Sequence, residues 1–237
     1  EARLVNSAKL AALGEMAAGV AHELNSPMTV IIGTAQMLSR ELREENLGEK
    51  AEALDDIINC GLRCKRIIQT LLTFSRQDQL PATEIDLNTE AAQVLSMIQY
   101  QINRSQIRIA EHLDPELPRL TANGPQIQQV LTNFLINARD ALGEVEGREK
   151  VIEVATAVRT KGGKRWVVLS VKDNGIGIAP ENLAKIFTPF YTSKEATKGT
   201  GLGLSVSLGI AESHNGTIEV ESRPGEGSTF SLVLPVA

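Results

Sequence analysis

The sequence is short of several features that would each mark a class of protein. Its 237 residues include two cysteines, Cys60 and Cys64. That is too few for a disulfide framework, and a reducing cytoplasmic compartment is the default expectation. No apolar run approaches the roughly 18 residues of a membrane span. The N-terminus lacks the apolar core of a signal peptide. There is no basic excess: the formal net charge is −5, which disfavours a nucleic-acid or acidic-membrane partner. An initiating methionine is also missing, so the chain reads as a piece of something longer. The hydrophobic share of 42% and charged share of 22% are ordinary for a globular protein, and the length suits one large domain or two small ones.

The first part has no strand-like segment. Leu10, Ala17, Leu24, Ile31 and Leu38 recur every seven residues, with Leu13, Val20, Pro27 and Thr34 as the companion row. These are the a and d rows of a heptad. The polar stretch REENLGEK (43–50) reads as a turn. Leu54, Ile57, Gly61, Cys64, Ile68 and Leu71 then mark a second helix. One hairpin leaves its apolar stripes uncovered, and two make a four-helix bundle, so a homodimer through residues 1–77 is expected.

SRQDQLPATEID (75–86) is polar and carries Pro81, and reads as the linker. The expected domains are 1–78 and 87–237, joined by 79–86. Beyond the linker, helices are expected at 87–103, 124–142 and 204–214. Strands are expected at 106–113, 119–122, 151–158 and 165–173, followed by a hairpin over 216–235 turning at RPGEG. The strands neighbour mostly antiparallel partners, so the second part reads as a two-layer α+β sandwich.

Four groups of residues carry candidate chemistry. His22 falls on position f of the heptad, directly away from the seam. Glu23 follows it and can take or orient an imidazole proton. Pro27 removes a backbone hydrogen bond one turn later and weakens the helix there. A zinc-protease reading needs a second histidine four residues on, where Ser26 stands. A carboxylate-assisted nucleophilic imidazole remains, against the alternative of a plain surface histidine.

DNGIGI (173–178) follows a strand and KGTGLGLS (198–205) opens a helix. Glycines let backbone amides approach an oxyanion, and a helix N-terminus favours negative charge, so both read as parts of a phosphate cradle. Neither has the Gly-Lys-Ser/Thr ending of a Walker loop. Asp173, at a strand end, can accept from an exocyclic amine such as that of adenine; the alternative is a turn-forming Asp-Asn-Gly. Asn133 and Asn137 share one face of the helix holding NFLINARDAL. Their carbonyl oxygens suit magnesium, against the alternative of one capping and one exposed amide. Cys60 and Cys64 lie four apart on the second helix, as small packing residues or, alternatively, for redox sensing or a disulfide across the dimer.

These stretches together resemble the sensor histidine kinases of two-component systems. AALGEMAAGVAHELNSPM resembles their H box, NFLINARDAL the N box, DNGIGI the first glycine box, IFTPFYTSK the F box, KGTGLGLS the second glycine box, and GEGSTFSLVLP the closing hairpin. The PFYTSK form is similar to that of the nitrogen-regulatory branch. The resemblance implies an all-α dimerisation and phosphotransfer hairpin followed by a Bergerat-type ATP-binding domain. It implies ATP and Mg2+ as cofactors and a response-regulator receiver domain as partner. It makes His22 the phospho-acceptor, Glu23 its base, Asn137 the magnesium ligand with Asn133 in support, and Asp173 the adenine reader. Thr229 would assist Asp173 through water. Gly175, Gly177, Gly199, Gly201 and Gly203 would be loop glycines, and Lys194 in the lid (187–200) a phosphate contact.

Two positions depart from the family pattern. Asp140 stands where many members carry Lys or Arg, leaving Lys194 or Arg139 for the phosphates. Ser26 stands where members that dephosphorylate their partner usually carry Thr, Asn or Gln. The rival expectations are an ATP-gated clamp and a nucleotide-binding dimer platform, neither of which needs His22 and Glu23.

Overall fold

The computed structural model describes residues 24–25, 27–44, 47–76, 81–192 and 201–236. They form two compact units: the N-terminal helices, with which residues 190–192 and 201–202 group, and the remainder.

The first unit is a hairpin of α1 (27–44) and α2 (Gly48–Arg76). The first helix runs further than the sequence suggested, and Gly48 already begins the second. Close approach of the helices is possible because Gly61 has no side chain: a Cβ there would stand 2.6 Å from Ile32 Cγ1. Ile32, Ala35, Ala51 and Ile68 are buried along the contact. Ser39 is buried with them and donates to Asp55 Oδ1 at 2.8 Å, while Arg43 pairs with the other oxygen of Asp55.

The expected heptad row lies elsewhere. Leu24, Ile31 and Leu38 are 44%, 47% and 39% exposed, and Pro27 and Thr34 are exposed too. The intrachain contact uses the neighbouring row through Ile32, Ala35 and Ser39, because a helix in a bundle has two apolar flanks and the hairpin covers one. On α2 the expected Gly61 and Ile68 do face inward, whereas Ile57 is 47% exposed.

The second unit opens with β1 (Thr83–Ile85), inside the stretch expected as linker; it pairs antiparallel with β3 (Leu120–Ala122). Between them lie α3 (Leu87–Arg104) and β2 (Ile107–His112). Next come α4 (Gly124–Gly143), β4 (Lys150–Lys161), β5 (Lys164–Asp173) and a short α5 (Pro180–Leu183) that the sequence did not suggest. The unit closes with α6 (Gly203–Ser213), β6 (Thr217–Arg223) and β7 (Gly227–Pro235).

The main sheet has the order β2-β4-β5-β7-β6, with β2–β4 parallel and the other pairs antiparallel. Helices α3, α4 and α6 pack on it and on each other. On the face turned to the helices, Val167, Leu169, Val171 and Asp173 of β5 and Phe230, Leu232 and Leu234 of β7 are buried, and Val168 and Val233 on the other face are buried as well. Phe134 of α4 meets Phe230 with ring centroids 5.5 Å apart. Asn123 caps α4 by accepting from Gln126 N at 3.2 Å, and Pro125 follows within the first turn. This is the two-layer α+β arrangement that the strand pattern suggested. Among the described residues no helix is long and apolar enough to cross a membrane.

Candidate functional site

Asp173 is the last residue of β5, and the pleat turns its side chain to the helix-covered face, where it is 3% exposed. Gly175 N–H donates to its Oδ1 at 2.8 Å, and the backbone N–H of Ser228 also donates to the carboxylate. Burial pushes the Asp173 carboxyl up from the ordinary value, and the two N–H groups offset part of that. A buried carboxylate at a strand end, held by two backbone donors, is built to accept from a ligand.

The loop after Asp173 is fixed from several sides. Asn174 accepts from Val151 N at 2.8 Å and donates to Glu149 O at 2.8 Å. Arg148 donates to Asn174 O at 2.6 Å, to Gly175 O at 3.0 Å and, from its other terminal nitrogen, to Gly225 O at 3.1 Å. Ile176 N–H donates to Ala141 O at 3.3 Å, which ties the loop to the end of α4. Ile178 N–H donates to Ser222 Oγ at 2.8 Å. Gly175 has no room for a side chain: a Cβ would stand 2.7 Å from Asp173 Oδ1 and 2.8 Å from Ala141 Cβ. Gly177 sits at φ +69, with Arg223 O only 2.0 Å from where a Cβ would be. Arg148 and Ser222 belong to no box, and sequence reading missed both.

The two asparagines of α4 do different work. Asn133 donates from Nδ2 to Gly203 O and to Ser207 Oγ, both at 3.0 Å, and Ser207, fully buried, donates to Gly203 O at 2.9 Å. Asn133 is thus a strut that holds the first turn of α6 against α4. Asn137 is half-buried, and none of the described residues hydrogen-bonds to its carboxamide. Two residues on, Arg139 donates to Asp140 Oδ1 at 2.8 Å, so the guanidinium leans on the adjacent carboxylate.

Thr229 requires correction. Residues directly opposite in an antiparallel ladder share a face. Ser228 is opposite Asp173, and Thr229 is opposite Lys172. Lys172 is exposed and Thr229 half-exposed, on the face turned away from Asp173. Ser228, 5% exposed, is the hydroxyl beside the carboxylate.

Gly201 accepts from Phe190 N–H at 2.9 Å; both belong to the first unit, and Gly203 to the second. His22, Glu23, Ser26, Lys194 and Gly199 lie outside the described residues. Among the described residues no group of three or more His, Cys, Asp and Glu is placed to hold a metal ion. The Asn137 carboxamide oxygen is a hard donor of the kind magnesium takes beside phosphate and water.

Comparison with known proteins extends the picture. Residues 12–80 match the His Kinase A (phospho-acceptor) domain family, and residues 122–237 the Histidine kinase-, DNA gyrase B-, and HSP90-like ATPase family. The chain is 37% identical over 228 residues to the sensor histidine kinase ZraS of Escherichia coli, covering 96% of this chain and 46% of ZraS. It thus spans under half the length of that relative. Among solved structures, the catalytic domain of histidine kinase ThkA superposes with a TM-score of 0.56 at 32% identity, covering 66% of this chain and 98% of that one. ThkA in complex with the response regulator protein TrrA gives 0.66 at 31% identity, over 97% of this chain and 63% of that one. Full-length ShkA in complex with AMPPNP gives 0.70 at 25% identity, over 94% of this chain and 46% of that one.

Proposed function

The chain belongs to the sensor histidine kinases of two-component systems, and on that footing we propose that it is an ATP-dependent histidine autokinase whose phospho-acceptor is His22. The observation that carries the reading is the buried Asp173 carboxylate, held by two backbone N–H groups at the mouth of a fixed glycine loop. A buried acceptor of that kind matches the exocyclic amine of adenine.

On this reading each site residue has a role. Asp173 reads adenine, with Ser228 rather than Thr229 as its hydroxyl neighbour. Gly175 and Gly177 let the loop lie close. Gly199, Gly201, Gly203 and Lys194 serve the phosphates. Asn137 Oδ1 is the protein ligand for Mg2+, and Asn133 acts by holding α6. Bound Mg2+ supplies charge neutralisation on the phosphate oxygens. In the transfer step the His22 Nε2 lone pair forms an N–P bond to the γ-phosphorus. The bond from that phosphorus to ADP breaks, ADP leaves with the electron pair, and Glu23 takes the imidazole proton. Positioning and electrostatics carry most of the rate in such transfers.

The phosphoryl group then passes to an aspartate of a response-regulator receiver domain docked on the hairpin, with Ser26 as the candidate to orient water in the reverse, phosphatase reaction. The exposed Leu24, Ile31 and Leu38 row supports a homodimer, in which a second copy covers the flank the hairpin leaves bare. The N-terminal helices, 1–78, serve dimerisation and phosphotransfer, and the catalytic part takes in β1, which shortens the link to the few residues ahead of Thr83. Free Cys60 and Cys64 fit a reducing, cytoplasmic setting for this segment.

The test is phosphate incorporation from γ-labelled ATP with magnesium, in this chain and in His22→Gln. Acid-labile, alkali-stable label that vanishes in the variant supports the reading. Label that persists means another residue accepts. Saturable ATP binding without label favours a nucleotide-binding platform or clamp.

A further inference from the structure

Ser222, near the end of β6, lies opposite Ser228 in the β6–β7 ladder, and Ser228 lies opposite Asp173 in the β5–β7 ladder. The three side chains therefore share one face of the sheet. The protons around Ser222 can be counted. A hydroxyl has one proton to donate and two lone pairs to accept with. Ile178 N–H donates to Ser222 Oγ at 2.8 Å. Gly227 O lies 2.9 Å from Ser222 Oγ, and a carbonyl only accepts, so the single proton of Ser222 goes there. Ser228 Oγ lies 2.9 Å from Ser222 Oγ. With the Ser222 proton committed, that contact is a hydrogen bond only when Ser228 donates. The Ser228 O–H thus points at Ser222, and only its lone pairs remain to offer beside Asp173. An ionised carboxylate also only accepts. This end of the pocket is built from acceptors alone.

We infer that Ser222 is a positioning residue that fixes the direction of the Ser228 O–H and so makes the pocket select a 6-amino purine over a 6-oxo purine. The inference rests on the reading of Asp173 as the adenine contact and adds how a residue outside every sequence box sharpens that choice. A 6-oxo purine brings an acceptor oxygen to this buried wall, and two acceptors facing each other leave both unsatisfied. Without Ser222, the Ser228 hydroxyl turns freely and can donate to that oxygen, directly or through water.

The experiment is titration calorimetry of ADP and inosine diphosphate on the 237-residue chain, as wild type, Ser222→Ala, Ser222→Thr and Ser222→Cys. In Ser222→Ala the preference for ADP should fall roughly tenfold, about the effect of one mispaired buried polar group. Ser222→Thr keeps the hydroxyl and should keep the preference. Ser222→Cys fills the space with a weak hydrogen-bonding group. It should lose most of the preference, and it decides the matter if the alanine variant does not fold. Equal weakening of both nucleotides would reduce Ser222 to a prop for the Ile178 loop and overturn the inference, as would an unchanged ratio. A wild-type chain that binds no ADP at all would instead sink the nucleotide-site reading itself, and this inference with it.

Discussion

Ser228 stands directly across the β5–β7 ladder from Asp173, and its neighbour Thr229 stands across from Lys172 on the opposite face. One residue of register separates a buried hydroxyl in the site from a half-exposed one outside it. Ser228→Ala should therefore weaken ADP binding, while Thr229→Val leaves it within about twofold, as expected of a surface substitution away from the site. Calorimetric titration of the two variants decides between them, and an ADP loss confined to the Thr229 variant would refute the assignment.

Asp173 sets stability against function. Burial raises its carboxyl above the ordinary 3.8, so the folded chain holds that proton to higher pH than the unfolded chain does. The unfolded state then binds fewer protons, and this group's contribution to stability falls as pH rises through the window from 3.8 to the raised native value. At neutral pH the buried charge is a standing cost. Asp173→Asn should raise the melting temperature of the nucleotide-free chain at neutral pH and abolish the further rise that ADP gives the wild type. The gain should shrink as pH falls below the native value. A melting temperature lowered at neutral pH would show that the two backbone donors outweigh desolvation.

The asparagines of α4 should separate cleanly. Asn133→Ala removes two hydrogen bonds that hold α6 and strands part of a buried network, at a cost of about 1–3 kcal/mol in unfolding free energy. Asn137→Ala removes none among the described residues and should leave urea unfolding nearly unchanged, yet abolish the magnesium dependence of ATP binding. Equal stability losses in the two variants would contradict the division of roles.

Gly177→Ala puts a Cβ 2.0 Å from Arg223 O at a backbone φ of +69. Neither the β6–β7 turn nor the loop can yield without breaking the bonds that fix them. Chemical denaturation should show a loss of at least about 2 kcal/mol, the combined effect of strain and overpacking.

In the hairpin, the Ser39 hydroxyl and the Arg43 guanidinium hold the Asp55 carboxyl below its ordinary value. A depressed carboxyl contributes stability above the unfolded-state value of 3.8, lost as pH falls through the lower native one. Acid unfolding of the wild type in that window should be steeper than that of Asp55→Asn. Identical acid limbs would show that the Ser39–Asp55–Arg43 group adds nothing.

The sequence by itself determined the kinds of element and the order of the boxes. The apolar runs of β5 and β7 and the helical period of α4 are local properties, set by which side chains must leave water, and they appear where the pattern put them. The burial of Asp173 was half legible, since a strand that alternates inward residues up to its last position carries that residue inward too. Only the tertiary structure decided which hydroxyl meets Asp173, because β5 and β7 are far apart in the chain and no turn between them sets their register. It alone turned Asn133 into a strut for α6, since its partners lie 70 and 74 residues away. It also recruited Arg148 and Ser222, which are unremarkable in the sequence and matter only because the fold brings the loop after β5 and the β6–β7 turn within hydrogen-bonding reach of them. In the hairpin, periodicity announced two helices, but which apolar flank α2 covers goes with the gap at Gly61, which the Ile32 side chain fills.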